Sequence, residues 1–144
     1  MERFLVVVEC AIEHNNKFLI IKRPAGVHAA GFLAFPGGKV EYKDGSGNIL
    51  VEAIKREVFE EVGLELIDPI RFVTSSYFRD SHQEHVLDVI FHCKLEKSKT
   101  EVNPALHEVP EHYWLTMDEI LAHKDTPPWL EGYLSSVNNF STIK

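Results

Sequence analysis

The strongest constraint on this chain lies in residues 49–62, a run with neither Gly nor Pro, built mostly from good helix formers and followed directly by Gly63. Such a run reads as a helix that Gly63 ends in a left-handed conformation. On that helix Glu57, Glu60 and Glu61 fall at i, i+3 and i+4, so three carboxylates crowd one patch. Leu50, Ile54, Val58 and Val62 form an apolar row at i+4 spacing and hold the other side against a core. Like charges repel, and Arg56 offsets only part of the repulsion. A hard divalent cation such as Mg²⁺ or Mn²⁺ resolves the conflict, because carboxylate oxygens suit it. A solvated acidic face is the plain alternative.

The segment before the helix favours the metal. Pro36-Gly37-Gly38 reads as a loop that lets backbone approach a ligand closely, with Lys39 beside it. With Gly38 followed by Arg56-Glu57-Val58-Phe59-Glu60-Glu61-Val62-Gly63-Leu64, the chain resembles the Nudix hydrolases. Their signature begins at a Gly and ends in Arg-Glu-apolar-any-Glu-Glu-any-Gly-apolar. The spacing departs from the family: fourteen positions separate its Gly from its Arg, whereas 56 − 38 gives eighteen here. The four extra residues fall in the polar stretch from Tyr42 to Asn48, and they leave the family's first Glu without a clear counterpart. Asp44 has the right distance from Gly38, and Asn48 the right distance back from Arg56. Glu52, one turn before Arg56, is a third partner for it.

The resemblance implies roles. Glu57, Glu60 and Glu61 are expected as metal ligands, with the Gly38 carbonyl beside them and Arg56 orienting the glutamates. A later carboxylate is expected to join, first among them Glu108, with Glu101 and Glu111 as other choices. One of these acids serves as the base, without a firm assignment. The stretch from His28 to Glu41 is similar to nucleoside triphosphate-cleaving members, which implies that Arg23, His28 and Phe35 lie about the nucleotide. Lys39 would meet a phosphate oxygen.

The remainder is consistent with one domain. Its 144 residues are 44% hydrophobic, enough for a sizeable core. Runs at 4–12 and 17–23 read as a hairpin turned at His14-Asn15-Asn16, and 70–78 and 86–95 as further strands, the latter central. A short strand is expected at 32–35 and another at 112–115. Thr116 and Glu119 have the capping-box spacing, and a last helix runs from Trp129 to about Val137. The expected architecture is an α/β Nudix fold, a mixed β-sheet sandwiched between α-helices, over residues 1–137, with 138–144 as a C-terminal tail.

Cys10 and Cys93 fall in apolar strand patterns and read as buried thiols. The N-terminus enters a strand rather than a signal peptide, so a cytoplasmic location is expected. A net charge of −7 opposes broad binding to nucleic acid or acidic membranes, but not a small phosphorylated substrate. Expected, then, is Mg²⁺-dependent cleavage (Mn²⁺ as the alternative ion) of a nucleoside diphosphate linked to another group, nucleoside triphosphates first. The alternatives are a nucleotide-sensing Nudix fold without turnover, and an interaction domain whose glutamates only solubilise a helix. Monomer and homodimer remain equally open.

Overall fold

A computed structural model describes residues 1–142. Seven strands form one sheet: β1 (Leu5–His14), β2 (Lys17–Lys22), β3 (Leu33–Ala34), β4 (Gly37–Lys39), β5 (Arg71–Arg79), β6 (His85–Lys94) and β7 (Glu111–Thr116). The main path runs β3-β2-β1-β6-β5, with β4 added to β1 and β7 to β2. β1 and β6 are parallel and the other pairs antiparallel, so the sheet is mixed. Asn15 and Asn16, at φ 52° and 60°, make the β1–β2 turn. Among the described residues no helix is long and apolar enough to cross a membrane.

The alternation of side chains along the central strands builds two cores. Val8, Cys10 and Ile12 face helix α1 (Ile49–Val62), whose Ile54, Val58 and Val62 are fully buried against them. Burying each of these three contributes roughly 1.5–3 kcal/mol, which fixes the helix despite its acidic patch. Ala11, Phe18, Ile20 and Ile90 face the other way, towards Leu130, Tyr133, Leu134 and Val137 of helix α3 (Pro128–Thr142). The short helix α2 (Met117–Ala122) begins at Thr116, where Thr116 and Glu119 make the expected capping box. Cys10 and Cys93 are buried free thiols with sulfurs 3.6 Å apart.

The structure corrects three expectations. Residues 138–142 continue α3 rather than forming a tail, and Phe140 packs its ring against His92 on β6; residues 143–144 lie outside the described residues. Phe32 and Phe35 lie outside the short strand, which is only Leu33–Ala34. The Gly-Gly-Lys segment is not a loop but β4, paired with Val7, Val8 and Glu9 of β1. One edge of β1 therefore takes β2 towards its C-terminal end and β4 towards its N-terminal end. The chain can press this close because Gly37 has no side chain.

A Cβ on Gly37 would overlap the Val8 backbone carbonyl and crowd Glu9 Cα, neither of which can swing aside. Gly37→Ala is therefore expected to destabilise the protein by about 1–3 kcal/mol in denaturant melts. Gly132→Ala, whose Cβ meets nothing within 4 Å on α3, should instead be neutral or stabilising by up to about 1 kcal/mol.

Candidate active site

Arg56 lies at the centre of the acidic patch. Its Nε donates to Asp44 Oδ1 at 2.5 Å and Nη2 to Asp44 Oδ2 at 3.0 Å, a two-pronged bond. Nη1 donates to Glu57 Oε1 at 2.7 Å and Glu60 Oε2 at 3.2 Å, and Nη2 also reaches the Lys39 carbonyl oxygen at 2.9 Å. One guanidinium thus ties together β4, the 3-10 turn Tyr42–Asp44 and α1. The Asp44 bond is the main reason the guanidinium holds its proton more tightly than usual, and it draws the Asp44 carboxyl below its ordinary range. Asp44, not Glu52, is the partner: among the described residues no ion pair joins Glu52 to Arg56. The chain from Gly38 to Asp44 keeps the family distance, so the four extra residues are those between Asp44 and the helix, Gly45 to Asn48.

The three glutamates differ in environment. Glu61 Oε1 accepts from the Gly37 amide at 3.1 Å. Burial, with Glu57 and Glu108 adding repulsion against that hydrogen bond, pushes its carboxyl up to about 8. Glu57 is also raised, by burial first, with Arg56 opposing and Glu60 and Glu108 adding. Glu60 is at the more exposed edge, its side chain 48% accessible. Glu60 and Glu61 occupy the last turn of α1, which holds no basic residue, so they also oppose the helix dipole.

Gly38 brings the backbone against this cluster: a Cβ there would overlap the Glu57 carboxylate. Glu108 has a half-exposed side chain, 3.6 Å from His107, with its charge felt by Glu57 and Glu61. Among the described residues no three His, Cys, Asp or Glu side chains form a ready-made metal cage. The donor set still fits a hard divalent cation, because it offers excess carboxylate oxygens held near one another and against a bare glycine backbone. Arg56 Nη1 bonds one oxygen of Glu57 and one of Glu60, so the second oxygen of each can face an ion while the guanidinium holds the side chain.

The expected substrate residues are placed unequally. Arg23 Nε donates to the His28 carbonyl at 2.6 Å, and the His28 ring stacks on Phe78 at 5.4 Å, so these residues close one loop. Lys39 is exposed. Phe35 is only 2% exposed and packs against Phe18 in the core facing α3. Glu9 on β1 escaped the sequence reading. It is paired in register with Gly37, sits against Asp88, and feels the charges of Arg23 and Glu61. The available signal was acids in central strands, with Glu9 and Glu13 four apart on one face of β1.

The raised Glu61 carboxyl has a definite linkage. Between its ordinary value near 4.5 and about 8 the folded protein keeps a proton that the unfolded chain has released, so stability falls as pH rises through that window. Glu61→Gln should therefore raise the melting temperature of metal-free protein at pH 8 and give little gain near pH 4, as differential scanning calorimetry at the two pH values would show. Gly38→Ala is expected to shift the Glu57 carboxylate and weaken divalent-cation binding by at least about tenfold, read by calorimetric titration, with the melting temperature little changed.

Comparison with known proteins identifies the family. The NUDIX domain family profile matches residues 3–135. The CTP pyrophosphohydrolase of Escherichia coli K12 is 30% identical over 137 residues, covering 92% of this chain and 93% of that protein. The 8-oxo-dGTP diphosphatase of the same organism is 38% identical over 64 residues, 44% of this chain and 46% of that one. Among solved structures, the MutT protein of Methanosarcina mazei Go1 superimposes with a TM-score of 0.80 at 23% identity, over 97% of this chain and 96% of that one. The chain belongs to the Nudix family and is a MutT-like hydrolase of phosphoric anhydride bonds.

Proposed function

We propose that the protein is a Mg²⁺-dependent pyrophosphohydrolase, with Mn²⁺ able to substitute, that cleaves a nucleoside diphosphate linked to another group. Nucleoside triphosphates are its first substrates, and a cytoplasmic location belongs to the same reading. The observation behind it is the excess of carboxylates around one guanidinium, with Glu57 and Glu61 both held above their ordinary range by burial and by neighbouring acids. Such a cluster is costly unless positive charge arrives. The 30% identity to a CTP pyrophosphohydrolase along nearly the whole chain supports the substrate class.

In this reading Glu57, Glu60, Glu61, the Gly38 carbonyl and Glu108 hold the ion. Bound there, a divalent cation supplies neutralisation of phosphate charge and a more acidic water. The protein's part is placement. Arg56, anchored by Asp44, sets the positions of Glu57 and Glu60 without touching substrate. Glu61 is fixed by the Gly37 amide. Exposed Lys39 and half-buried Arg23 meet phosphate oxygens, which offsets the repulsion a phosphorylated substrate meets from a chain of net charge −7. Water attacks one phosphorus in line with the leaving oxygen, the anhydride P–O bond breaks, and one of the glutamates takes the proton from the water.

The test is release of phosphate and pyrophosphate from nucleoside triphosphates, dinucleotides and nucleotide sugars, with Mg²⁺ and with chelator. Metal-dependent release is expected, and Glu60→Gln should lower kcat by about 10² or more with melting unchanged. Stabilisation by nucleotides without turnover would instead assign the protein as a nucleotide sensor.

A further inference from the structure

Between β6 and β7 the chain runs from residue 95 to residue 110 with neither helix nor strand, yet its second half is tied down. The Asn103 amide donates to the Val62 carbonyl at 2.8 Å, and the Ala105 amide to the Glu61 carbonyl at 2.9 Å. Both acceptors belong to the last turn of α1, where carbonyls have no partner within the helix. The chain then turns back on itself: the Glu108 and Val109 amides both donate to the Ala105 carbonyl, at 2.9 and 2.8 Å. Val109 is fully buried in the core facing α1, and Val102 packs against the same core from the other end of the segment.

Residues 102–109 are thus a strap across the carboxyl end of the acidic helix. Its tip adds little packing, since Leu106 is 71% exposed and the Glu108 side chain half-exposed. The strap comes this close because residue 63 is glycine: a Cβ there would lie 2.9 Å from Asn103 Cβ and 3.0 Å from its carbonyl oxygen. Ala105 is bonded to the backbone of Glu61, whose side chain is one of the three carboxylates, and Glu108 sits one turn beyond Ala105. Two backbone bonds therefore do for Glu108 what Arg56 does for Glu57 and Glu60. The other acids of this stretch have no such tether. Glu111 is taken up on β7 by the Tyr133-independent pair of the Tyr113 hydroxyl and Lys22, and Glu101 lies ahead of the strap.

We propose that the strap is a positioning element of the hydrolytic site: the Asn103 and Ala105 amides set Glu108 against α1, and a divalent cation held between Glu108 and the helix acids locks the strap shut. The inference rests on the divalent-cation reading above and adds to it a device that couples ion binding to the order of one segment. The coupling is reciprocal. If the closed strap strengthens ion binding, the bound ion stabilises the closed strap by the same free energy. A segment without regular structure, held by few bonds, opens locally far more often than the sheet does. Ion binding therefore becomes visible at two backbone amides that are committed to the helix and not to the ion.

The experiment follows amide hydrogen exchange by NMR in the full chain, wild type and Glu108→Gln, with and without saturating Mg²⁺, beside calorimetric titration of Mg²⁺. In the wild type Mg²⁺ should slow exchange at Asn103 and Ala105 by about tenfold or more; in Glu108→Gln it should not. Mg²⁺ that binds without changing exchange at these amides, or that slows it equally in Glu108→Gln, overturns the inference alone. Absence of Mg²⁺ binding to the wild type overturns the divalent-cation reading and the inference with it. Ala105→Pro deletes one tethering N–H and should weaken Mg²⁺ binding as Glu108→Gln does, by about tenfold. Ala105→Gly keeps that N–H and should stay within about threefold of the wild type. The double variant Ala105→Pro/Glu108→Gln should bind no more weakly than either single variant, and additive losses overturn the inference. If Ala105→Pro does not fold, the exchange measurements on the wild type and Glu108→Gln decide.

Discussion

Arg56 is the interaction on which the site depends. Its guanidinium reaches Asp44, Glu57, Glu60 and the Lys39 carbonyl from a position 17% accessible to solvent. Remove that charge and three acids face one another at the carboxyl end of a helix, where the backbone adds further negative potential. The apolar row of α1 can hold the helix on the sheet, but it cannot set the direction of carboxylates on the opposite side. Arg56 does that, and Asp44 holds Arg56. A planar five-donor group suits the task; a lysine could not bond two oxygens of Asp44 and still reach α1 and β4.

Close backbone approach is the complementary constraint. β4 is only three residues long and would be a marginal strand by its own preferences, since glycine disfavours extended structure. It exists because β1 offers a free edge where β2 has turned away, and because Gly37 can lie directly over Val8. The same short strand delivers the Gly37 amide to Glu61 and the bare Cα of Gly38 to Glu57. Sheet pairing and carboxylate placement are therefore one event.

These features were unequally visible in the sequence. Helix α1 was legible to the residue, because a Gly- and Pro-free run with an apolar row ends at a glycine. The β1–β2 hairpin and the cap at Thr116 were equally plain, since local chemistry decides both. β4 was hidden because its pairing comes wholly from β1. The partner of Arg56 was ambiguous because sequence distance does not reveal how a loop folds: Glu52 was nearer along the helix, but the 3-10 turn points Asp44 at the guanidinium. The burial of Phe35 was not legible either, because it follows from how the next glycines draw its segment down onto the sheet. The Glu9–Asp88 contact depends on the parallel register of β1 and β6, which sets Val7 beside Asp88 and cannot be read from either strand alone. Residues 138–142 looked polar enough for a tail, yet Phe140 anchors them on His92.

The position of the four extra residues has a wider consequence. Gly45 to Asn48 lie after Asp44 and before the first turn of α1, while Arg56 already ties those two elements together across the gap. The segment is a closed loop whose ends are pinned by an ion pair rather than by its own length. Lengthening such a loop costs only a slowly growing entropy, about 0.6 kcal/mol per doubling. The spacing of the signature can therefore drift here while the acids keep their places. Evolution has at this point a socket beside the acidic helix, into which new sequence can be grafted without moving the carboxylates it borders.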